Sequence, residues 1–193
     1  MSGNRKRGQI DLVFGVPSTS EIGEHGFARF KSFVKSMTKT FSVTKRDTNI
    51  GLIQYGKNAK VILPLSEGIS ESTVFEKLDA MSFESEGPQN IPEALQLAST
   101  EMFAGRTRGA SKYILFGSGK VFSSPTVLEA SAKPLVDQGV SLMPVAFSAD
   151  SSSSLRSIAS IPSDQFYFPA VVEELETTVG LASKVIRSGR VTN

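Results

Sequence analysis

The chain has 193 residues, enough for one domain with a substantial core, and its 39% hydrophobic and 21% charged residues make a globular balance. A formal net charge of +2 is too small to imply a nucleic-acid partner by itself. With no cysteine at all, disulfides, thiolate metal sites and cysteine nucleophiles are excluded.

Residues 1–8 read as a polar tail. Its basic run, Arg5 to Gly8, is expected to be solvated, with a polyanion-binding arm as the alternative. The segment QIDLVFGV, Gln9 to Val16, is a short apolar run before a turn, the pattern of a strand buried on both faces. In the helix predicted next, Phe27, Phe30, Val34, Met37 and Phe41 recur at helical spacing, with Lys31, Lys35 and Lys39 on another face. Asn49 to Gly56 and Ala59 to Leu65 read as two strands joined by a hairpin at Gly-Lys-Asn. Ser70 to Met81 reads as a helix with Ser70 as N-cap, and Ile91 to Phe103 as another with Pro92 in its first turn.

Lys112 to Gly119 is the next buried strand. A helix starts near Pro125, and Pro134 is expected to kink or break it, because an interior proline costs about 3 kcal/mol. Val140 to Phe147 is a strand in which Pro144, unable to donate to a ladder, predicts a bulge or local distortion. The serines Ser151 to Ser154 read as a polar loop and cap leading into a short helix. A last strand in QFYFP and a closing helix over 171–187 follow. Strands alternate with helices throughout, apart from the hairpin. This predicts a doubly wound α/β fold: a mostly parallel six-stranded sheet with one antiparallel edge strand and helices on both faces. One domain, 9–188, is expected between two tails, 1–8 and 189–193. Ligands of such sheets sit beyond the C-terminal strand ends. The loops there are Pro17 to Gly23, Gly87 to Pro92 and Gly117 to Ser124.

Several chemistries fail on inspection. A phosphate loop would need glycine where Ile114 stands and Ser or Thr where Val121 stands. No G-x-G-x-x-G follows the first strand, and Ser118 lies in F-G-S-G-K rather than a G-x-S-x-G elbow. His25, the sole histidine, reads as a surface or capping residue beside Glu24 and Gly26. Glu71, Glu76, Glu173, Glu174 and Glu176 read as solvated helix faces, and Glu84 and Glu86 as loop residues without a paired acid–base arrangement. No catalytic residue is expected. No apolar run reaches the roughly 20 residues that span a bilayer, and no Asn-x-Ser/Thr sequon occurs. The polar first residues lack a signal-peptide pattern, so a secreted setting would make this chain an excised domain of a larger protein.

IDLVFGV with FARFKSFVKSM, IGLIQYGKNAKVILPL, GPQNIPEALQLAS, YILFGSGK, LVDQGVSLMPVAF and LRSIASIPSDQFYFP together resemble a von Willebrand factor A domain from about Ile10 to Ile186. IASIPSDQFYF is most similar to A domains of extracellular-matrix proteins such as type VI collagen. The resemblance implies a metal-ion-dependent adhesion site, built from D-x-S-x-S, a Thr from a second loop and an Asp from a third. This chain departs from that pattern at each slot. The first loop has Pro17, Thr19 and Glu21, the second has Gln89 and the third has Ser118. Glu21 is the one carboxylate left, and neutral oxygens alone repay the dehydration of Mg²⁺ poorly. The expectation is therefore a degenerate site with no metal and no cofactor. Ser20 or Glu21 would help cap the next helix. Metal-free contacts to a partner would come from Ser18, Thr19, Ser20, Gln89 and Ser118.

The resemblance implies a non-enzymatic, extracellular interaction module, binding matrix proteins or neighbouring A domains of the same parent chain. No nucleic acid, membrane insertion or small-molecule substrate is expected. An intracellular scaffold and a nucleotide-binding α/β enzyme are the alternatives.

Overall fold

The computed structural model describes residues 8–84, 86–119, 121, 123–147, 152–160, 166–170 and 174–189. Apart from Gly8 and Gly189, both expected tails lie outside the described residues, as do Ser151 and residues 171–173.

Six strands form one sheet: β1 (Ile10–Pro17), β2 (Thr48–Tyr55), β3 (Ala59–Leu63), β4 (Ser111–Ser118), β5 (Val140–Ala146) and the two-residue β6 (Phe168–Pro169). Their order is β3-β2-β1-β4-β5-β6, so the first strand in sequence is central. Every pairing is parallel except β2 with β3, the predicted hairpin. The continuous apolar runs are explained by burial on both faces: all of β2 and β5, and β1 from Asp11 onward, are buried.

The helices are α1 (Gly23–Lys39), α2 (Glu71–Ala80), α3 (Ile91–Leu97), α4 (Pro125–Asp137), α5 (Ser152–Ile158) and α6 (Leu175–Ser188). α1 packs on α2 and α6, and α4 packs on α3 and α5. These groups cover opposite faces of the sheet. The Tyr113 hydroxyl of β4 donates to the Ile186 carbonyl of α6 (3.3 Å). On the other face a Cβ on Gly51 would lie 2.3 Å from Met102 Cε, next in space to Val13. α1 buries Phe27, Phe30, Phe33, Val34 and Met37, each burial contributing about 1.5–3 kcal/mol. Its lysines reach outward, Lys31 to the Met81 carbonyl (3.1 Å) and Lys35 to Asp79 (2.6 Å). Ser70 caps α2 as its position predicts, accepting from the Thr73 N–H at 3.2 Å.

Three expectations are corrected. The single helix predicted over 91–103 becomes π-helical over Ala98–Phe103, where Ala98, Ser99, Met102 and Phe103 are all buried. Of the kink or break expected at Pro134, the break is absent, because α4 runs through it. Pro134 is exposed in the last turns, and the carbonyl that loses its donor belongs to exposed Ala130, which water can satisfy. Pro144 causes no bulge: β5 pairs with β4 in unbroken register from Val140 to Ala146. The Leu142 N–H and carbonyl bond Ser160, and the Ala146 carbonyl accepts from Ala170, so these residues face away from β4. Alternation turns Pro144 the same way, before β6 begins at the partner of Val145. The β4 ladder therefore loses nothing.

At the N-terminal end of β1, Asp11 is fully buried. It accepts from Arg106 Nε (3.0 Å), Arg106 Nη2 (2.8 Å) and Arg108 Nε (2.8 Å). Arg106 Nη2 also reaches Asn49 Oδ1 (2.8 Å), and Arg108 donates to the carbonyls of Lys45, Ile10 and Asp47. This clamp ties the turn before β4 to the starts of β1 and β2.

Candidate functional site

The C-terminal end of β1 is terminated by Pro17, buried opposite Tyr55 of β2. Ser18 donates its N–H to the Tyr55 carbonyl (2.8 Å), so the missing N–H of Pro17 faces β4, beyond the last β1–β4 pair at Gly15. The β1–β4 ladder stops short of Pro17, and the Gly117 carbonyl that an N–H there would reach takes a side-chain donor instead. Tyr55 itself crosses β1 to donate its hydroxyl to the Gly117 carbonyl of β4. Gly15 leaves room for this ring, since a Cβ there would meet Tyr55 Cε1 at 3.1 Å. Burial holds the Tyr55 phenol far above its usual pKa, because desolvation disfavours the charged phenolate.

Thr19, Gln89 and Ser118 come together from three loops, and all three are buried. The Ser118 hydroxyl donates to Gln89 Oε1 (2.9 Å), and Gln89 Nε2 donates to Thr19 Oγ1 (3.5 Å). One amide therefore bridges the two hydroxyls, using its acceptor on one and its donor on the other. The second loop is fixed from behind. Asn90 donates its N–H to the Gly56 carbonyl (2.8 Å), and its side chain caps α3 by accepting from the Glu93 N–H (3.2 Å). Glu93 in turn accepts from the Ala59 N–H (2.9 Å), linking α3 to the hairpin.

The remaining predicted residues stand elsewhere. Ser18 is fully buried, and its hydroxyl accepts from the Glu84 N–H (2.6 Å) and donates to the Glu84 carbonyl (3.2 Å). It pins the loop after α2 to the end of β1 instead of lining the cleft. Ser20 and Glu21 are exposed on the rim. Neither caps α1: its N-cap is Ile22, with no side-chain cap bond. Gly23 at φ +66° makes the turn, and its N–H donates to the Thr19 carbonyl (3.1 Å), which takes the place of a side-chain cap. Ile22 and Glu21 lean over the third loop, within 3.2 Å and 3.6 Å of where a side chain on Gly119 would begin. His25 is exposed on α1. Among the described residues no group of three or more His, Cys, Asp or Glu could hold a metal ion. The roles of Tyr55 and Glu84 escaped the sequence reading. The glycine at position 15 was a signal for a crossing ring, and nothing marked the Glu84 backbone.

The model of the von Willebrand factor type A domain matches residues 11–180. The chain is 27% identical over 162 residues to the mouse collagen alpha-4(VI) chain, covering 82% of this chain and 7% of that one. It is 26% identical over 170 residues to human matrilin-1, covering 86% of this chain and 34% of matrilin-1. The chain thus spans about a third of matrilin-1 and a small part of the collagen chain, and these relatives are extracellular-matrix proteins. Among solved structures, proximal thread matrix protein 1 from the mussel byssus, with a zinc-occupied MIDAS motif, superposes with a TM-score of 0.83. It is 17% identical and covers 92% of this chain and 48% of that one. Manganese-loaded TRAP protein of Plasmodium vivax gives a TM-score of 0.76 at 17% identity, covering 94% of this chain and 74% of that one. Both likenesses are of fold.

Proposed function

Because the chain belongs to the von Willebrand factor type A domain family, we propose that it is a non-enzymatic protein–protein interaction module of an extracellular matrix assembly, collagen VI-like in role, working without a metal ion. The observation that carries this reading is the bridge from Ser118 through Gln89 to Thr19. A divalent cation needs lone pairs directed at it and carboxylate charge around it. Here the amide nitrogen of Gln89 points a donor at one candidate ligand, and the hydroxyl of Ser118 spends its proton on another. Pro17 offers no ligand, and Glu21 sits exposed on the rim. The residues present do not fit the ion, and the hydrogen bonds join the three loops in its place.

The module comprises residues 9–188 and acts outside the cell as part of a longer secreted protein, where it meets matrix proteins or sister A domains. The kinship to collagen VI and matrilin chains supports that setting. Partner contacts come from the rim, where Ser20 and Glu21 are exposed, and not from Ser18, which is spent on Glu84.

Two measurements test the proposal. Titration with Mg²⁺, Mn²⁺ or Ca²⁺ is expected to leave the melting temperature unchanged. An ion at 100 times its Kd would add about 2.7 kcal/mol, or about 5–11 °C for a chain this size. A saturable rise abolished by Glu21→Ala or Thr19→Ala would refute the metal-free site. Binding to immobilised triple-helical collagens and isolated A domains is expected to be insensitive to EDTA. Binding that requires a divalent ion, or turnover lost on mutating a cleft residue, would overturn the reading.

A further inference from the structure

The end of the sheet opposite the cleft is cationic around Arg106 and Arg108. Residues 8–11, 40–49 and 104–112 hold Lys45, Arg46, Arg106, Arg108 and Lys112 against Asp11 and Asp47, a net charge of +3, while two more acids stand at the same end: Glu67 in the loop that bonds Ile50, and Asp137, paired with Lys133, next to the Gln138 carbonyl that Lys112 reaches. Arg5, Lys6 and Arg7 immediately precede Gly8 in sequence, and all the rest of the chain is net negative at −4. The segments converge through the backbone: Ile10 donates to Asp47 (3.1 Å), and Ser111 donates to Gln9 (2.9 Å). β1 is eight residues long, which puts this end roughly 23 Å from the Thr19–Gln89–Ser118 bridge.

The cations here are held in place and are incompletely neutralised. Arg106 and Arg108 share the single carboxylate of Asp11, leaving one positive charge over. Arg106 Nη1 has no partner among the described residues. Lys45 and Arg46 are exposed, and neither of their side chains is paired among the described residues. Their backbones are nonetheless fixed, the Lys45 carbonyl by Arg108 Nη1 (2.9 Å) and the Arg46 carbonyl by Gln9 Nε2 (2.8 Å). The second acid, Asp47, accepts from the hydroxyls of Ser42 (3.1 Å) and Thr44 (2.9 Å). Beside it, Arg187 lies 5.5 Å over the Phe41 ring and lines a cavity of about 290 Å³ with Gly8, Ile10 and Asp47.

We propose that this end of the domain docks a sulfated polysaccharide. The choice of a matrix polyanion rests on the extracellular reading above; the cationic surface rests on the geometry alone. Planar guanidiniums match the oxygens of a sulfate two at a time, and preset positions cost less ordering on binding. Binding a linear polyanion releases its counter-ions, which favours a row of cations drawn from several segments. A single-stranded nucleic acid would call for stacking platforms. The one aromatic residue in these segments is Phe41, and Arg187 covers it.

Affinity for a heparin-derived oligosaccharide, measured by calorimetry across a salt series, tests the proposal. The unmodified chain is expected to bind with a Kd that rises steeply with salt. Lys45→Glu with Arg46→Glu is expected to weaken binding by about tenfold or more, with an unchanged melting temperature. Arg29→Glu with Lys77→Glu, matched in charge but placed on α1 and α2, is expected to change it by less than about twofold. No binding at physiological salt, equal losses in both double variants, or equally tight binding of hyaluronan or duplex DNA would overturn the inference. A chain that binds the sulfated oligosaccharide but no matrix protein would uphold this surface and defeat the proposed function. The converse result would do the reverse.

Discussion

Replacing Asp11 with asparagine tests what holds the N-terminal end of the sheet together. The carboxylate is fully buried and accepts three N–H bonds from two arginines whose own side chains are 19% and 18% exposed. In Asp11→Asn the amide would keep the shape, but it would remove the charge and turn an N–H₂ donor towards a guanidinium. Two cations would then face each other with nothing between them. Breaking a buried pair by removing one partner costs about 3–5 kcal/mol. Partial exposure of the arginines lets water recover some of this, so a loss at the lower end, about 3 kcal/mol, is expected. For a chain of this size that corresponds to a melting temperature lowered by about 6–12 °C. Differential scanning calorimetry, checked by urea unfolding, reads the change. A loss below about 1 kcal/mol would refute the reasoning, because it would mean that the arginines do not depend on Asp11. A second variant separates charge from packing. Asp11→Leu with Arg106→Met and Arg108→Met is expected to recover part of the loss, since an apolar replacement of a buried ion group is often neutral but the carbonyls that Arg108 serves lose their donor.

Tyr55→Phe leaves the Gly117 carbonyl without its buried donor and is expected to cost about 1–2 kcal/mol, read as a lower urea midpoint. The phenol's pKa is raised in the fold, so its contribution is complete below the unfolded value of about 10 and is lost as pH rises above it. Alkaline destabilisation should therefore be smaller in Tyr55→Phe; an identical high-pH profile in both chains would contradict this account. Pro134→Ala restores an N–H and relieves the clash with the Ala130 carbonyl, and is expected to stabilise by about 1–3 kcal/mol in thermal melts. No gain would mean that α4 is already kinked to suit the proline.

Much of the fold was legible because burial on both faces writes long apolar runs. β1, β2 and β5 read as strands for that reason, and the hairpin showed in Gly56-Lys57-Asn58. No bulge forms at Pro144 and no break at Pro134, because a proline's cost depends on which way its missing N–H faces. For Pro144 that direction is set by the strand beside it, and for Pro134 by exposure to water; a local pattern carries neither. The adhesion-site slots were located by resemblance, and three of the five residues do converge. Their bonding was not legible: Gln89 lies 70 residues from Thr19 and 29 from Ser118. Ser18 misled most, because the loop that claims its hydroxyl lies 66 residues away. Ser20 and Glu21 looked like caps because nothing in the local sequence shows that the Gly23 N–H is already taken by Thr19.

The two ends of the sheet solve the same mechanical problem with opposite chemistry. Loops leaving parallel strands have few ladder bonds to hold them, so something must tie them across the sheet. At the N-terminal end the tie is ionic, one carboxylate against two guanidiniums, and it leaves surplus charge on the surface. At the C-terminal end the tie is neutral, and Gln89 is the residue that makes it work. A threonine or serine there could bridge by hydroxyl alone, over a shorter reach. An amide carries a donor and an acceptor on separate atoms, so it can satisfy the Ser118 proton and a Thr19 lone pair together. Without a carboxylate among these three side chains there is no charge at that floor to compensate, which is why it can be buried. The consequence is directional: surplus positive charge lies at the Arg106–Arg108 end, whereas at the other end the exposed groups are Ser20 and Glu21 on the rim.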